Sequence, residues 1–577
     1  MRKSANSAIS ERIAILGHPT DPSTARWDDD QMAQLRTLGF TAVQVNIGWG
    51  ARPADEPLSL EDVVSLTTDQ ALRYPQPLPL NSDPSRYELR RTELRHRTAV
   101  AHRAGLRTAF NCGIPFNNHA SHPDPQPNCI LDETVALRYE LLLDAFARDF
   151  DVDDLWLYTY DQDAWLCSEF GRCPRCGGVP LHRRLTPFLE RLATRWRQRR
   201  PEGRVCWEPW ELSAGQTMRI ITQIDVTGLA LALHNNSAEA MAALPADRHV
   251  QNLARTAADR GLPVILEGFF GAATEEVEPF TSLQSPLTTY RQVRAMLGVA
   301  GVTGLKEYYG LDLTKEDPNL RAAALCWADP TLDDEAVLDS LSESYGDPAT
   351  RRVVEQVWRL SSEAMELYPW DASWFVREVG KSNPAHSLNA ATVRGYCADT
   401  PSWRSTRGST FIVIDDLEPD PWLLEDLELR WLACADRQEQ AIALARAIQA
   451  DIPGTAGDSF RAFIAELGEF HRRVLAYAYH CRETNLTRIL REAVNAGEPP
   501  PAHVTAELGR VLRADRINMK TADLDELIDL LDRDPAAFAA IHFQPTPRVV
   551  MEQDLHGTVF AEHRFPWPLG AFSATSR

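Results

Sequence analysis

The chain has no uninterrupted apolar stretch long enough to span a bilayer. Its first residues, Met1-Arg2-Lys3-Ser4-Ala5-Asn6, carry no apolar core like that of a secretory leader. Both absences point to a cytoplasmic protein without a membrane partner. Positive charge is also short. Sixty Lys and Arg against 81 Asp and Glu leave a net charge of −21, which disfavours nucleic acid and anionic lipid, since both bind cationic surfaces. The one basic stretch, Arg195 to Arg204, interleaves with Leu192 and Trp196 at helical spacing and reads as a solvated helix face. Ten cysteines in 577 residues are too few and too scattered for a disulfide scaffold, so a clustered subset points to metal instead. No Gly-x-Ser-x-Gly elbow, Walker loop or dinucleotide fingerprint is present, and no organic cofactor is expected. No His-x-His follows the first apolar run, as a metal-dependent amidohydrolase barrel would usually show.

What is present is alternation. Short β-rich apolar runs occur at Arg12 to Leu16, Ala42 to Ile47, Arg107 to Asn111, Asp154 to Tyr160, Arg204 to Trp207, Gly228 to Leu233, Pro263 to Glu267 and Gly301 to Glu307. Amphipathic stretches separate them, including Asp30 to Leu38, Glu93 to Ala104, Asp132 to Phe150, Leu181 to Arg199 and Leu287 to Val299. Gly39, Gly105 and Gly261 each follow a helical stretch and precede the next strand, as C-terminal stops. Eight strand-helix units over residues 1–330 predict a (β/α)8 TIM barrel. A doubly wound sheet is the rival, but no Gly-rich phosphate loop follows the first strand. Beyond residue 330 helical periodicity takes over, at Asp334 to Leu367, Pro421 to Gln449, Ser459 to Ala496 and Ala502 to Phe538. Residues 331–542 are therefore expected to form an α-helical domain, and 543–577 an irregular C-terminal tail. The segment Phe411 to Asp416 reads as the apolar start of a helix.

In barrel enzymes the active site gathers at the C-terminal ends of the strands. Those positions hold His18, then Asn46 and Trp49, then Asn111, then Asp161 and Asp163. They continue with Glu208 and Glu211 among Trp207 and Trp210, then His234 and Asn235, Glu267, and finally Glu307 with Tyr308. Carboxylates stand at four of the eight ends. Paired carboxylates suit glycosidic cleavage, where one must be protonated to release the leaving sugar and the other ionised. Crowding raises the pKa of one member and so supplies the acid. Tryptophans offer flat apolar faces to sugar rings, while Asn, His and carboxylates bind hydroxyls. Lys306 reads as an ion-pair partner rather than a Schiff-base lysine.

Immediately after the fourth strand, Asp161-Gln162-Asp163-Ala164-Trp165-Leu166-Cys167 leads into Cys173-Pro174-Arg175-Cys176. Cys-Pro-x-Cys-Gly is knuckle-like, and three thiolates need a fourth ligand for tetrahedral zinc. Cys129, His182, Cys112 and Cys206 are the candidates. The pattern resembles the β-galactosidases of glycoside hydrolase family forty-two, barrels with a structural zinc held by one cysteine of the strand-three loop and three after strand four. In that family the strand-four end carries an Asp-Asn-Glu triplet whose Glu is the general acid/base. The resemblance, confined to about residues 107 to 200, implies zinc on Cys129, Cys167, Cys173 and Cys176, Asp163 as acid, and Glu267 as the second carboxylate. Asp stands where the family has Glu, Gln where it has Asn, and the thiols are spaced Cys-x5-Cys-x2-Cys, so neither stereochemistry nor galactose specificity carries over. The chain also looks like uncharacterised barrels related to α-glucuronidases and hexosaminidases.

The sequence thus predicts a glycoside hydrolase with Asp163 as acid and Glu267 as base or nucleophile. Asp161, Glu208 and Glu307 would tune the pair or bind hydroxyls, and Asn46, Trp49, Asn111, Trp207, Trp210, His234 and Tyr308 would contact the sugar. A carbohydrate substrate, a structural zinc and homo-oligomerisation complete the expectation. A catalytically silent carbohydrate-binding barrel and a barrel lyase or isomerase are the alternatives.

Overall fold

Alternation along each strand decides which side chains enter the barrel and which face the helices. In the computed structural model, residues 9–18, 21–47, 56–57, 59–74, 84–117, 126–159, 164–209, 212, 214–234, 248–272, 277, 280–369, 421–518 and 522–542 are described. Strands β1 (Glu11–Ile15), β2 (Ala42–Gln44), β3 (Arg107–Gly113), β4 (Asp154–Tyr158), β5 (Val205–Glu208), β6 (Leu229–His234), β7 (Val264–Gly268) and β8 (Val302–Glu307) form one closed barrel in sequence order. Every neighbouring pair is parallel, β8 closing on β1. Parallel strands need crossovers. The helices that follow them include α1 (Asp29–Thr37), α2 (Thr68–Arg73), α3 (Tyr87–Arg103), α4 (Glu133–Asp149), α5 (Leu181–Arg199), α6 (Ala214–Ile221), α7 (Arg248–Asp259) and α8 (Pro286–Leu297). Gly105 and Gly261, at φ of +75° and +79°, stop α3 and α7 in the left-handed conformation that a side chain disfavours.

Outward residues such as Val43, Phe110, Leu157, Trp207, Leu231, Leu266 and Leu305 join the large apolar core against the helices. Inward residues form layers, as packed barrels require. Low in the barrel, Arg204 holds Glu11 through two contacts of 2.7 Å and Asp154 at 2.9 Å, and Arg107 reaches Asp154 at 2.9 Å. Above this charged plug lies an apolar layer of Ile13, Ala42, Ala109, Trp156, Cys206, Ala230, Ala232 and Ile265. Toward the C-terminal ends the inward positions include the polar residues Gln44, Asn111, Glu208, His234, Glu267 and Lys306.

Beyond β8 come α9 (Pro318–Ala328), α10 (Asp334–Ser342), α11 (Pro348–Leu367), α12 (Pro421–Ile448), α13 (Gly454–Asn495), α14 (Ala502–Asn518), α15 (Ala522–Arg533) and α16 (Pro535–His542). The structure is a (β/α)8 barrel with a helical C-terminal region. Polar contacts knit the two. Glu466 of α13 accepts the backbone N–H groups of Thr281 and Ser282 at 2.7 and 2.6 Å, and Trp358 of α11 donates to Gln284 at 2.8 Å. The apolar core likewise runs on from the barrel into α12 and α13. Phe411 to Asp416 and the 543–577 tail lie outside the described residues. No described helix is long and apolar enough to cross a membrane.

At the edge of the barrel, Asp153 accepts the Thr108 N–H at 2.7 Å and faces His102 Nε2 at 3.0 Å. Burial alone would raise the Asp153 carboxyl, but the bonds from His102 and Thr108 outweigh it and hold it at about 2. His102 is raised in turn, first by its bond to Asp153. A depressed carboxyl stabilises the fold above its unfolded value and ceases to as pH falls through the folded one. Asp153→Asn should therefore cost about 1–2 kcal/mol near neutrality, and thermal melts should show a shallower loss of stability between pH 4 and pH 2 than in the parent.

Candidate active site and metal centre

Register brings one level of the barrel mouth together. Cα pairing aligns His234 of β6 with Glu267 of β7, and Glu267 with Lys306 of β8. Lys306 Nζ lies 2.6 Å from Glu267 Oε1 and 3.1 Å from Glu208 Oε1, all three side chains being fully buried. Asn111 Nδ2 donates to the other Glu208 oxygen at 2.6 Å. Asn46 fixes Asn111 through the backbone, donating to its carbonyl at 2.7 Å and accepting its N–H at 2.9 Å. His234 Nδ1 stands 3.3 Å from Glu267 Oε2, and Tyr308 packs edge-on to the imidazole at 4.7 Å. Underneath, the Lys306 ammonium sits 4.6 Å from the Trp156 ring centre, a cation–π contact made in the dry interior.

The charges settle by burial first. Burial drives the Glu208 carboxyl well up, reinforced by Glu267 and opposed by Lys306. For Glu267 burial also raises, but the charges of Lys306 and His234 prevail and lower it. Lys306 is pushed down by burial, yet its two glutamates hold it above the ordinary lysine value. Glu208 is thus the weaker acid of the pair and Glu267 the stronger, and the stronger one is the carboxylate closer to the ammonium. Removing the cation would leave Glu267 buried without its closest counter-charge. Lys306→Met should destabilise the fold by about 3–5 kcal/mol, read as a lowered midpoint in denaturant.

Several positions expected at the mouth do other work. Trp207 points outward, its indole N–H donating to Thr159 Oγ1 at 3.0 Å. Glu307, next to Lys306 but on the opposite strand face, accepts the N–H groups of Phe270, Tyr309 and Gly310 at 2.8, 2.9 and 3.1 Å. It thereby ties the loops after β7 and β8. Burial pushes its carboxyl up to about 8 against those N–H groups. His18 is buried edge-on to Tyr309, and burial lowers it to about 4. Trp49, Asp161, Asp163, Trp210, Glu211 and Asn235 lie outside the described residues. Two members were not foreseen in these roles. Trp156 was read only as part of an apolar strand, and Lys306 as an ion-pair partner, as it is, but without Glu208 and Glu267 as its partners. Strand alternation carried the signal for both, since Lys306 and Glu307 must face opposite ways.

A second cluster lies above β3 and β4. The thiols of Cys129, Cys167, Cys173 and Cys176 all fall within 4.8 Å of one another, in buried surroundings. Cys129 Sγ is 3.3 Å from Cys176 Sγ and 3.8 Å from Cys173 Sγ. Four sulfurs each about 2.3 Å from a tetrahedral ion stand roughly 3.8 Å apart, so the set fits a metal ion such as zinc. Cys112 and Cys206 lie on barrel strands, and neither they nor His182 belong to the cluster. The surroundings are ordered for the purpose. Arg184 donates to the Cys167 carbonyl at 2.8 Å and Arg138 to Asn128 Oδ1 at 2.6 Å. Asn117 in turn accepts the Asn128 N–H at 2.9 Å and donates to the Trp165 carbonyl at 2.5 Å. Cys176 is lowered by hydrogen bonds from Cys129 and Cys167 and further by Arg184.

No protein-family model and no curated protein matches the chain. Solved structures do. A GH138 enzyme targeting pectin rhamnogalacturonan II is similar over 90% of this chain and 63% of its own, at a TM-score of 0.58 and 11% identity. The likeness is one of fold. This chain spans less than two thirds of that enzyme's length. An O-GlcNAc hydrolase from Thermobaculum terrenum matches 93% of this chain and 95% of its own at a TM-score of 0.40 and 10% identity. A family 5 glycoside hydrolase from Prevotella bryantii matches 57% and 99% at 0.35 and 12%. These two are too remote to argue from. The similar structures named are all glycoside hydrolases on TIM barrels, and the resemblance to family forty-two rests on the sequence motif alone.

Proposed function

We propose that the chain is a glycoside hydrolase that acts on a carbohydrate at the C-terminal mouth of the barrel. The observation that carries this reading is the convergence of Asn111, Glu208, His234, Glu267 and Lys306 from β3, β5, β6, β7 and β8 on one buried polar level. A polar floor of this kind, with one carboxyl raised and the other lowered by its surroundings, is costly for a barrel and suits a charged transition state.

Glu208 and Glu267 share one buried ammonium, at 3.1 and 2.6 Å. A pair held on one buried cation is turned toward that cation, whereas an acid and base face each other across a scissile bond. The acid is then sought elsewhere, and Asp163 is its candidate by sequence, with Asp161 as neighbour. Glu267 supplies the negative charge opposite, and Asn111, His234 and Tyr308 the polar and aromatic contacts to the sugar, joined by Trp49 and Trp210. Zinc on the four cysteines would join the β3 and β4 loops and hold the segment bearing Asp163. With four protein ligands it has no open position for chemistry.

Screening the purified protein against nitrophenyl glycosides and oligosaccharides of plant and bacterial origin tests the reading. Turnover of at least one glycoside is expected. Loss of all turnover across the panel, with the protein folded and metal-loaded, would count against an enzyme and favour a binding barrel.

A further inference from the structure

We infer that the helical C-terminal region is a working part of the barrel mouth, and that Glu466 of α13 is a positioning residue that sets sugar affinity by holding the loop between β7 and α8. The inference rests on the glycoside hydrolase reading and deepens it. That loop, residues 269–285, far exceeds the roughly 2–6 residues usual for such a connection. It leaves the strand that carries Glu267, on the face where barrel enzymes bind substrate. Its first residue, Phe269, packs edge-on against Tyr308 at 5.5 Å, and Tyr308 against His234 at 4.7 Å.

The two limbs of the loop are held from different sides. Near β7 the barrel does it. Glu307 accepts the Phe270 N–H at 2.8 Å, and Asp317 accepts that of Ala272 at 2.9 Å. The fit is close, for a Cβ on Gly271 would come within 3.2 Å of the Asp317 carboxylate. Near α8 the helical region does it. Glu466 accepts the N–H groups of Thr281 and Ser282 on one oxygen, at 2.7 and 2.6 Å. Successive N–H groups converging in this way are how a backbone turn binds an anion, and α13 supplies that anion. Such charge-assisted bonds are stronger than those between neutral groups.

Neighbouring contacts reinforce the pin. Phe280 packs on Phe470 of α13 at 5.5 Å. Gln284 donates to Ser459 of α13 at 3.1 Å and accepts from Trp358 of α11 at 2.8 Å. Ser459 in turn donates to the carbonyl of Glu316, in the connection between β8 and α9. α13 thus reaches the mouth loops of the last two barrel units. With one limb fixed to the barrel and the other to α13, the helical region sets the spacing between Ala272 and Thr281. Glu466 is not a member of the polar cluster at the strand ends, so its loss bears on binding and not on bond cleavage.

Glu466→Ala and Glu466→Gln in the full chain test this. Gln keeps a carbonyl oxygen that can accept the same two N–H groups, and Ala keeps nothing. The first arm, hydrogen–deuterium exchange read by mass spectrometry, needs no substrate. Exchange across residues 280–285 should quicken about tenfold or more in Glu466→Ala and stay near parental in Glu466→Gln. The second arm uses whichever glycoside is turned over. Glu466→Ala should raise KM about tenfold or more with kcat within about threefold, and Glu466→Gln should keep KM near parental. Arg482→Ala breaks contacts to Glu428 and Glu507 within the helical region alone, and should leave both readouts parental. Parental exchange in Glu466→Ala would overturn the inference. So would an unchanged KM, a fall in kcat alone, or the same KM rise in Arg482→Ala. If no glycoside is turned over, it is the enzyme reading that fails, and exchange still decides whether Glu466 holds the loop.

Discussion

Glu267→Gln should lower turnover of an active glycoside by about 10³–10⁴-fold while leaving the fold intact. The expectation follows from the position of this carboxylate between Lys306 at 2.6 Å and His234 at 3.3 Å. Gln keeps the shape but removes the charge that lies closest to the Lys306 ammonium. Lys306 would then keep Glu208, at 3.1 Å, as its buried counter-charge. The substitution is therefore expected to cost stability as well, by about 1–3 kcal/mol, and kinetics should be read below the new unfolding midpoint. Asp163→Asn should reduce kcat to a similar extent through the other half of the reaction. Near-parental turnover in both variants would remove the carboxylate mechanism.

The second large effect belongs to the four-cysteine centre. Elemental analysis of protein purified without chelator should find about one zinc per chain, and Cys129→Ser and Cys176→Ser should each lose it. A buried thiolate cluster deprived of its ion is left with like charges or with thiols in mutual contact at 3.3 and 3.8 Å. Structural zinc sites contribute on the order of 10 kcal/mol to the state that binds. Zinc removal is accordingly expected to lower the thermal midpoint by ten degrees or more and to open the loops around Cys129 and Cys167 to protease. Because those loops leave β3 and β4, activity should fall together with the metal. Protein that is metal-free as purified, yet stable and active, would end the zinc proposal.

The relation between sequence and structure differs from element to element. Arg107 to Asn111 and Pro263 to Glu267 were legible as strands because β-rich apolar runs bounded by glycine and helical stretches have few other readings. The cysteine cluster was legible for a different reason. Cys167, Cys173 and Cys176 are neighbours in the chain, and only the fourth ligand had to be chosen among residues far apart in sequence. The charged plug of Glu11, Arg107, Asp154 and Arg204 was invisible. Its members are separated by up to 193 residues, and each looks like an ordinary strand-end charge. Glu307 shows how such reading misleads. A carboxylate at a strand end reads as catalytic, yet this one is consumed by three backbone N–H groups.

By itself, then, the sequence determined the barrel, the helical C-terminal region and the thiol cluster, since each is written in local periodicity or close spacing. Which polar residues meet at the mouth was decided only by the tertiary structure. Strand register put His234, Glu267 and Lys306 at one level, and alternation turned Lys306 inward and Glu307 away. Burial raised both carboxyls of the pair, and the charges of Lys306 and His234 brought Glu267 alone back down. Register and burial are properties of the closed barrel as a whole, and no stretch of the chain contains them.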